Sequence, residues 1–225
     1  MPYIRSADTE IAFATASLRG LHNSAAVLEK IRTKTGISVR LLSAEEEARY
    51  DYLGLLHKKP LSCGIGGDLG GGSMQLFTFD EGGLLAHCSL PLGSMRTRCA
   101  FLKGNMPSPQ ESAALRAHVL HMLQKELSFH QVCHKTLYLT GGSIRAIVRL
   151  WGQDGRISAD AISRAIQSAS FPVLKKEFGD RAATIVPALL TLDVLLSYIG
   201  ASEIESVESG VREGILEELA AQPTA

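Results

Sequence analysis

The segment Gly64-Ile-Gly-Gly-Asp68-Leu-Gly70-Gly71-Gly72-Ser73-Met-Gln75 constrains the fold of this chain more than any other. Apolar runs on either side read as strands, and the glycines between them leave room only for a tight reversal, so the two strands must pair antiparallel. A second reversal at Asp80-Glu-Gly-Gly83 then returns the chain through Leu84 to Leu90. The expectation is a three-stranded meander over Ile65 to Leu69, Gln75 to Phe79 and Leu84 to Leu90. Glycine lets the main chain take positive φ and approach a ligand closely, so several N–H groups of Gly70, Gly71, Gly72 and Ser73 can converge on one phosphate. Asp68 then stands at the mouth of that cradle, where a carboxylate can hold Mg²⁺ directly or through water. Two familiar nucleotide motifs are excluded: Leu69 stands where a dinucleotide fingerprint requires glycine, and Gly67 to Ser73 contains no P-loop lysine. On spacing alone, a glycine turn that merely twists a hairpin explains the segment too.

Around the meander, strand-like and helical runs alternate. Ile11 to Thr15 and Ile37 to Leu42 read as strands, and between them Ala25 to Thr35 carries Val27, Leu28 and Ile31 at helical spacing, with Gly36 as a stop. Ser43-Ala-Glu-Glu46 fits a capping box that opens a helix to about His57. Further helices are expected near Ser94 to Lys103, over Gln110 to Leu127, from Ile144, after Ser158, from Gly179-Asp180 to Ile199 and over Gly210 to Ala221. Thr136 to Thr140 and Glu203 to Val207 read as further strands, which makes the fold a mixed α/β sheet flanked by helices. The loop at Pro60-Leu-Ser-Cys-Gly is the expected boundary between a first lobe, 1–62, and a second, 63–225.

Composition narrows the partners. With 23 Lys plus Arg against 23 Asp plus Glu, no global field draws the chain to nucleic acid or to an anionic membrane, so any anion site must be local. Ile185 to Ile199, with Pro187 and Asp193 inside it, is shorter than the ~20 apolar residues of a membrane span, so no membrane helix is expected. The N-terminus lacks a secretory pattern and cysteines 63, 88, 99 and 133 form no close pairs, which points to reduced thiols and a cytoplasmic setting.

Two further segments carry chemistry. Leu139-Thr140-Gly141-Gly142-Ser143-Ile144-Arg145 is strand, glycine turn, then helix, and a helix N-terminus is an anion site in itself. In Ser43-Ala-Glu-Glu-Glu47-Ala-Arg49 the glutamates suit the positive end of a helix dipole, and one of them could equally orient and deprotonate a water. Histidines 118, 121, 130 and 134 with Cys133 have helical ligand spacing, but the apolar stripe of their helix explains them more simply than a metal cluster. The leucine-rich run from Ile185 reads as a core helix.

Taken in order, Glu46-Glu47-Ala-Arg49, Asp68-Leu-Gly-Gly-Gly-Ser73, Ser89-Leu-Pro-Leu-Gly93, Gly141-Gly-Ser-Ile-Arg145 and Glu208-Ser-Gly-Val-Arg-Glu-Gly-Ile-Leu216 resemble the exopolyphosphatase and guanosine pentaphosphate phosphohydrolase (Ppx/GppA) family of the actin-like ATPase superfamily. The likeness extends from Ala14-Thr-Ala-Ser-Leu-Arg19 to the last helix. It implies a ribonuclease-H-like, two-lobed fold in which Mg²⁺ and glycine loops hold polyphosphate or a phosphorylated guanosine nucleotide while water removes the terminal phosphate. By the same resemblance Glu47 is the catalytic glutamate and Asp68 the metal acid, while Gly70, Gly71, Gly72, Ser73, Gly141, Gly142 and Ser143 contact phosphate. Arg19, Arg145 and Arg181 are candidates for further phosphate contacts. Phosphoryl transfer asks a protein for positioning and charge neutralisation more than covalent chemistry, which suits these residue types.

Two departures from the family pattern matter. An Asp-x-Gly-Ser-Asn-Ser type first phosphate loop is missing from this sequence, which implies a fragment, a misplaced start or a binding protein without turnover. Gln75 stands where a glutamate is usual, with Met74 in place of threonine, which removes a negative charge and should weaken metal binding if that position is a ligand. An incomplete first lobe would leave strand edges open, so a homo-oligomer is expected. The rival readings are, from another class, a non-catalytic polyphosphate or nucleotide sensor and, third, an ATP-using kinase or chaperone of the same superfamily.

Overall fold

A computed structural model of the protein describes residues 10–126 and 135–221. The chain divides into two compact units, 1–47 and 48–225.

In the first unit, β1 (Ala12–Ala14) leads through a one-turn helix, α1 (Ala16–Arg19), and the longer α2 (Ser24–Thr35) to β2 (Val39–Leu41). The two strands pair in parallel, Ala12 opposite Val39, as the helical connection between them allows. Gly36 ends α2 at φ 75, a conformation that side chains disfavour. The capping box at the start of α3 (Ala44–Lys58) is reciprocal: the amide of Glu46 donates to Ser43 Oγ at 3.0 Å and the amide of Ser43 to Glu46 Oε2 at 2.8 Å. That backbone amide, and then the Arg40 guanidinium, hold the Glu46 carboxyl below the usual carboxylate range.

The second unit is built on a six-stranded mixed sheet. Its strands are β3 (Gly64–Leu69), β4 (Met74–Asp80), β5 (Gly83–Leu90), β6 (Thr136–Thr140), β7 (Arg156–Ser158) and β8 (Glu203–Ser206), in the order β5-β4-β3-β6-β8-β7. The meander forms with the expected turns, and β3, β6 and β8 run parallel at the centre. Asp68 therefore sits between Gln75 on one neighbouring strand and Thr140 on the other. Gly66 and Gly67 are required by contact, since a Cβ at either would collide with the Phe77 ring or the Gln75 carbonyl.

Helices α4 (Ser94–Phe101), α5 (Pro109–Glu126), α6 (Gly142–Trp151), α7 (Ala159–Ser168), α8 (Phe171–Phe178) and α9 (Ala182–Ile199) build the main core with one face of the sheet. The run 171–199 has the length and apolarity of a membrane span, whereas the stretch weighed from sequence was Ile185 to Ile199 alone. It is not one straight helix: a 3₁₀ turn at Gly179–Arg181 divides it, and most of α9 is buried against α4 to α8, which makes it a core element. Expected helices at 94, 110 and 210 are found within two or three residues of their predicted bounds, the last as α10 (Val211–Ala220). Helix α8 and strand β7 are found in addition to the expected elements, and α6 starts at Gly142, a half-turn before Ile144. The predicted end of α5 at Leu127 lies outside the described residues.

The opposite sheet face carries a smaller cluster, Leu55, Phe77, Phe79 and Val207, with Tyr52 and Tyr138 against it. There α3 and α10 touch through glycine. A Cβ at Gly214 would occupy the Tyr50 carbonyl, and one at Gly54 would lie 2.7 Å from the Gly210 carbonyl. Tyr50 donates to Glu218 at 2.6 Å, and Arg49 reaches the other oxygen of that carboxylate at 2.5 Å.

Candidate active site

At the carboxyl ends of β3 and β6, two glycine turns and Asp68 come together in the second unit. The turn after β3 is closed by the Gly70 amide donating to the Ser73 carbonyl at 3.0 Å. Its carbonyls point at α4: Ser94 donates to Gly70 O at 3.0 Å, and Met95 and Arg96 to Gly71 O at 2.9 and 3.0 Å. This leaves α4 capped by main chain, so Gly93 needs no capping side chain and has room for none; a Cβ there would overlap the backbone of Gly71 and Gly72. The amides of Gly71 and Gly72 donate to no group among the described residues, and a Cβ at Gly72 would meet nothing within 4 Å. Those two amides are the donors this turn can offer a phosphate.

The second turn is built for close approach. Gly141 has φ 117, and a Cβ there would stand 2.5 Å from the Leu69 carbonyl and 2.9 Å from Asp68 Oδ1. Gly70 also flanks that carboxylate, 3.5 Å from Oδ2 by the same measure. Helix α6 starts at once after Gly141 with no side-chain cap and no acid in its first turn, so its positive end is uncompensated by its own residues. Arg181 packs its guanidinium on Gly142, where a Cβ would collide with it. Ser143 is buried and its hydroxyl lies 3.1 Å from that of Ser94, tying α6 to α4. From Gly142 a groove of about 650 Å³ runs along α6 past Arg145 and Arg149, with Asp154 and Glu208 on its far wall.

Gln75 completes this centre. It is 1% exposed; its amide nitrogen lies 3.4 Å from Ser73 Oγ, and its Oε1 has no partner among the described residues. A buried, unpartnered carbonyl oxygen directly across the ladder from a carboxylate is a donor set that fits a hard divalent cation.

In the first unit, Glu47 is 4% exposed and its Oε2 accepts from Arg19 at 2.8 Å. Arg19 also donates to the Leu42 carbonyl at 2.6 Å, so both ends of its guanidinium are engaged within this unit. The other oxygen of Glu47 accepts no hydrogen bond among the described residues.

The structure thus brings Asp68, Gly70, Gly71, Gly72, Ser73, Gly141, Gly142 and Ser143 to one place, with Arg145 and Arg181 beside them. Arg19 sits against Glu47, an arrangement no local sequence signal announces. Gly93 closes the Ser89-to-Gly93 motif and Ser94 opens α4; their contact with the first glycine turn spans more than 20 residues and is visible only in three dimensions. Asp51 is a buried carboxylate that sequence reasoning passed over; with Thr140 and Ser209 it lines a small internal pocket. Of the histidines, His118 lies against the Phe101 ring at 5.0 Å between centroids, while His130, Cys133 and His134 are outside the described residues.

A mixed sheet in this strand order, with glycine turns and an acid at the carboxyl ends of its central strands, defines the fold as that of the actin-like ATPases. The solved structures agree: an exopolyphosphatase from Cytophaga hutchinsonii superposes with a TM-score of 0.83 at 15% identity, covering 96% of this chain and 76% of that one. The Aquifex aeolicus Ppx/GppA family member gives 0.79 at 21% identity, covering 100% and 79%. The model of the Ppx/GppA phosphatase family matches residues 7–222, and the chain belongs to that family. Exopolyphosphatase 1 of Mycobacterium tuberculosis is 26% identical over an alignment of 226 residues that covers 92% of this chain and 65% of that protein. An uncharacterised protein of Streptomyces coelicolor is 28% identical over an alignment of 230 residues that covers 92% of this chain and 67% of that one. The chain therefore spans about two thirds of the length of its curated relatives, 65% for the mycobacterial enzyme.

Proposed function

We propose that this protein is a Mg²⁺-dependent phosphohydrolase that releases the terminal phosphate of inorganic polyphosphate or of guanosine pentaphosphate. The observation that carries the reading is the glycine cage around Asp68. Two turns and an uncapped helix end converge on one carboxylate, and the space above Gly72 is open, with nothing within 4 Å of where a Cβ would stand. Family membership and the mycobacterial exopolyphosphatase relative support it.

In this reading the amides of Gly71 and Gly72 and the positive end of α6 take the oxygens of the outer phosphates, and Arg181 and Arg145 neutralise the charge that follows. Asp68 and Gln75 would hold Mg²⁺, whose contribution is to draw charge from the phosphoryl oxygens as the anhydride bond breaks. Glu47 accepts a proton from water on the oxygen that Arg19 leaves unengaged, and Arg19 fixes the carboxylate's orientation. Water oxygen adds to the terminal phosphorus, the bridging P–O bond breaks, and orthophosphate leaves with the shortened chain.

The test is orthophosphate release from polyphosphate and from guanosine pentaphosphate by wild type, Glu47→Gln and Asp68→Asn. Release that requires Mg²⁺ and falls by roughly 10²–10⁴-fold in both variants is expected for a general base and a metal acid. Full activity in either variant rejects its assigned role. A second reading, a polyphosphate or nucleotide sensor without turnover, is favoured by the neutral side chain at Gln75. Tight binding without release would select it. Self-association belongs to the proposal as well, since the first unit exposes Ile11 and Leu21 beside a sheet that has two strands among the described residues. Sedimentation should show a dimer or larger, and a well-behaved monomer would count against it.

A further inference from the structure

In the second unit Gln75 is 1% exposed, and its Oε1 is one of several buried side-chain atoms without a hydrogen-bond partner among the described residues. Leaving an amide oxygen dry and unpaired destabilises the fold, and a hydrophobic residue of similar length would avoid that penalty. Its place in the ladder is equally specific. In the antiparallel register of β3 and β4, Gln75 lies directly opposite Asp68, and directly opposite residues present their side chains on the same face. The cage leaves little freedom there, because Gly70 and Gly141 flank the Asp68 carboxylate and Ser73 Oγ lies at 3.4 Å from the Gln75 amide nitrogen. The nitrogen is thereby turned toward Ser73, and the oxygen is the end left for a ligand.

We infer that Gln75 is a neutral oxygen ligand to the divalent cation at Asp68, so that this protein alone binds the ion weakly and acquires it chiefly together with a phosphate chain. The inference rests on the metal reading of Asp68 given above. A cation's affinity for an oxygen site follows the count of ligand charges, and a site with one carboxylate and one amide has a single negative charge where two carboxylates would have two. Phosphate oxygens supply the missing charge. Metal affinity and phosphate affinity must then be coupled, each raising the other by the same factor.

Mn²⁺ binding, followed by electron paramagnetic resonance and by calorimetry with and without inorganic pyrophosphate, tests this on the full chain. Wild type should bind Mn²⁺ weakly alone and at least about tenfold more tightly with pyrophosphate, after allowance for the Mn²⁺–pyrophosphate complex in solution. Gln75→Glu should tighten binding of Mn²⁺ alone by about tenfold or more and reduce the pyrophosphate dependence. It should also make the melting temperature rise more steeply with Mn²⁺ than that of wild type does. Gln75→Met, which keeps the length and removes the oxygen without adding a buried charge, should bind Mn²⁺ several-fold more weakly at undiminished thermal stability. Unchanged Mn²⁺ affinity in both variants overturns the inference. Binding that is also indifferent to Asp68→Asn overturns instead the metal reading on which it rests.

Discussion

The glycine turn after β3 and the glycine turn after β6 look alike as sequence, each a strand end followed by glycines and a serine, yet they meet the helices near them in opposite ways. The first spends its carbonyls on α4: Gly70 and Gly71 accept from Ser94, Met95 and Arg96, so that helix's positive end is used up within the protein. The second passes over Leu69 and Asp68 at φ 117 and opens α6 with neither a capping side chain nor an acid, and Arg181 adds positive charge on Gly142. One turn is a brace that presents the amides of Gly71 and Gly72; the other presents a helix end. A glycine run followed by a helix is therefore not evidence that the helix binds an anion, and what decides it is whether the main chain has already capped that helix.

The largest effects should separate chemistry from scaffold. Glu47→Gln and Asp68→Asn are expected to cost orders of magnitude in phosphate release with little change in melting temperature. Next come the glycines of the brace. Gly93→Ala drives a Cβ into the backbone of Gly71 and Gly72 and should lower stability by about 1–3 kcal/mol in urea unfolding. Gly72→Ala meets nothing within 4 Å, so stability should stay within about 1 kcal/mol while phosphate affinity falls. Equal losses of stability in the two variants would erase the distinction between brace and cradle.

Smaller effects distinguish the arginines. Arg181→Ala should raise KM with kcat nearly kept, as for a residue that binds ground state and transition state alike. Arg19→Ala, which releases Glu47, should lower kcat by roughly tenfold or more with KM little changed, since a hydrogen bond to a charged group contributes about 1.5–3 kcal/mol. The opposite pattern would return Arg19 to the phosphate-contact role suggested by sequence.

Two titrations give the smallest signals. The Glu46 carboxyl is held low by the Ser43 amide and then by Arg40, so its contribution to the start of α3 is present above the unfolded carboxylate value and is lost as pH falls through the depressed folded value. Glu46→Gln should flatten the acid limb of a stability profile, and an unaltered limb would remove the capping box from the account. Burial pushes the Cys88 thiol up to about 12, whereas Cys63 and Cys99 are exposed. A thiol reagent at pH 8 should therefore modify Cys63 and Cys99 well before Cys88.

Much of this was legible in the chain because its signals are local. The capping box at Ser43, the stop at Gly36 and the two hairpin turns each depend on residues within four positions of one another, and each is found where the spacing places it. Ser158 likewise caps α7 through its hydroxyl, 3.2 Å from the Ala161 amide. What sequence did not disclose depends on distant contacts. The closeness of Gly93 to Gly71, of Gly142 to Arg181 and of Arg19 to Glu47 joins segments separated by some 20 to 40 residues, and no periodicity reports such pairs. Helix α8 escaped because Ser170, Phe171 and Pro172 look like a loop until the chain turns, and β7 because three residues carry almost no pattern.

The central claim is that the cage around Asp68 holds the outer phosphates of a polyanion through main-chain amides and a divalent cation. Calorimetric titration of inorganic tripolyphosphate into the Glu47→Gln protein, with and without Mg²⁺, tests it without interference from turnover. Binding that is Mg²⁺-dependent, lost in the Glu47→Gln/Asp68→Asn double variant and weakened by adding Gly72→Ala or Arg181→Ala is the expected result. Binding of equal strength with and without Mg²⁺, and unmoved by those substitutions, would contradict it.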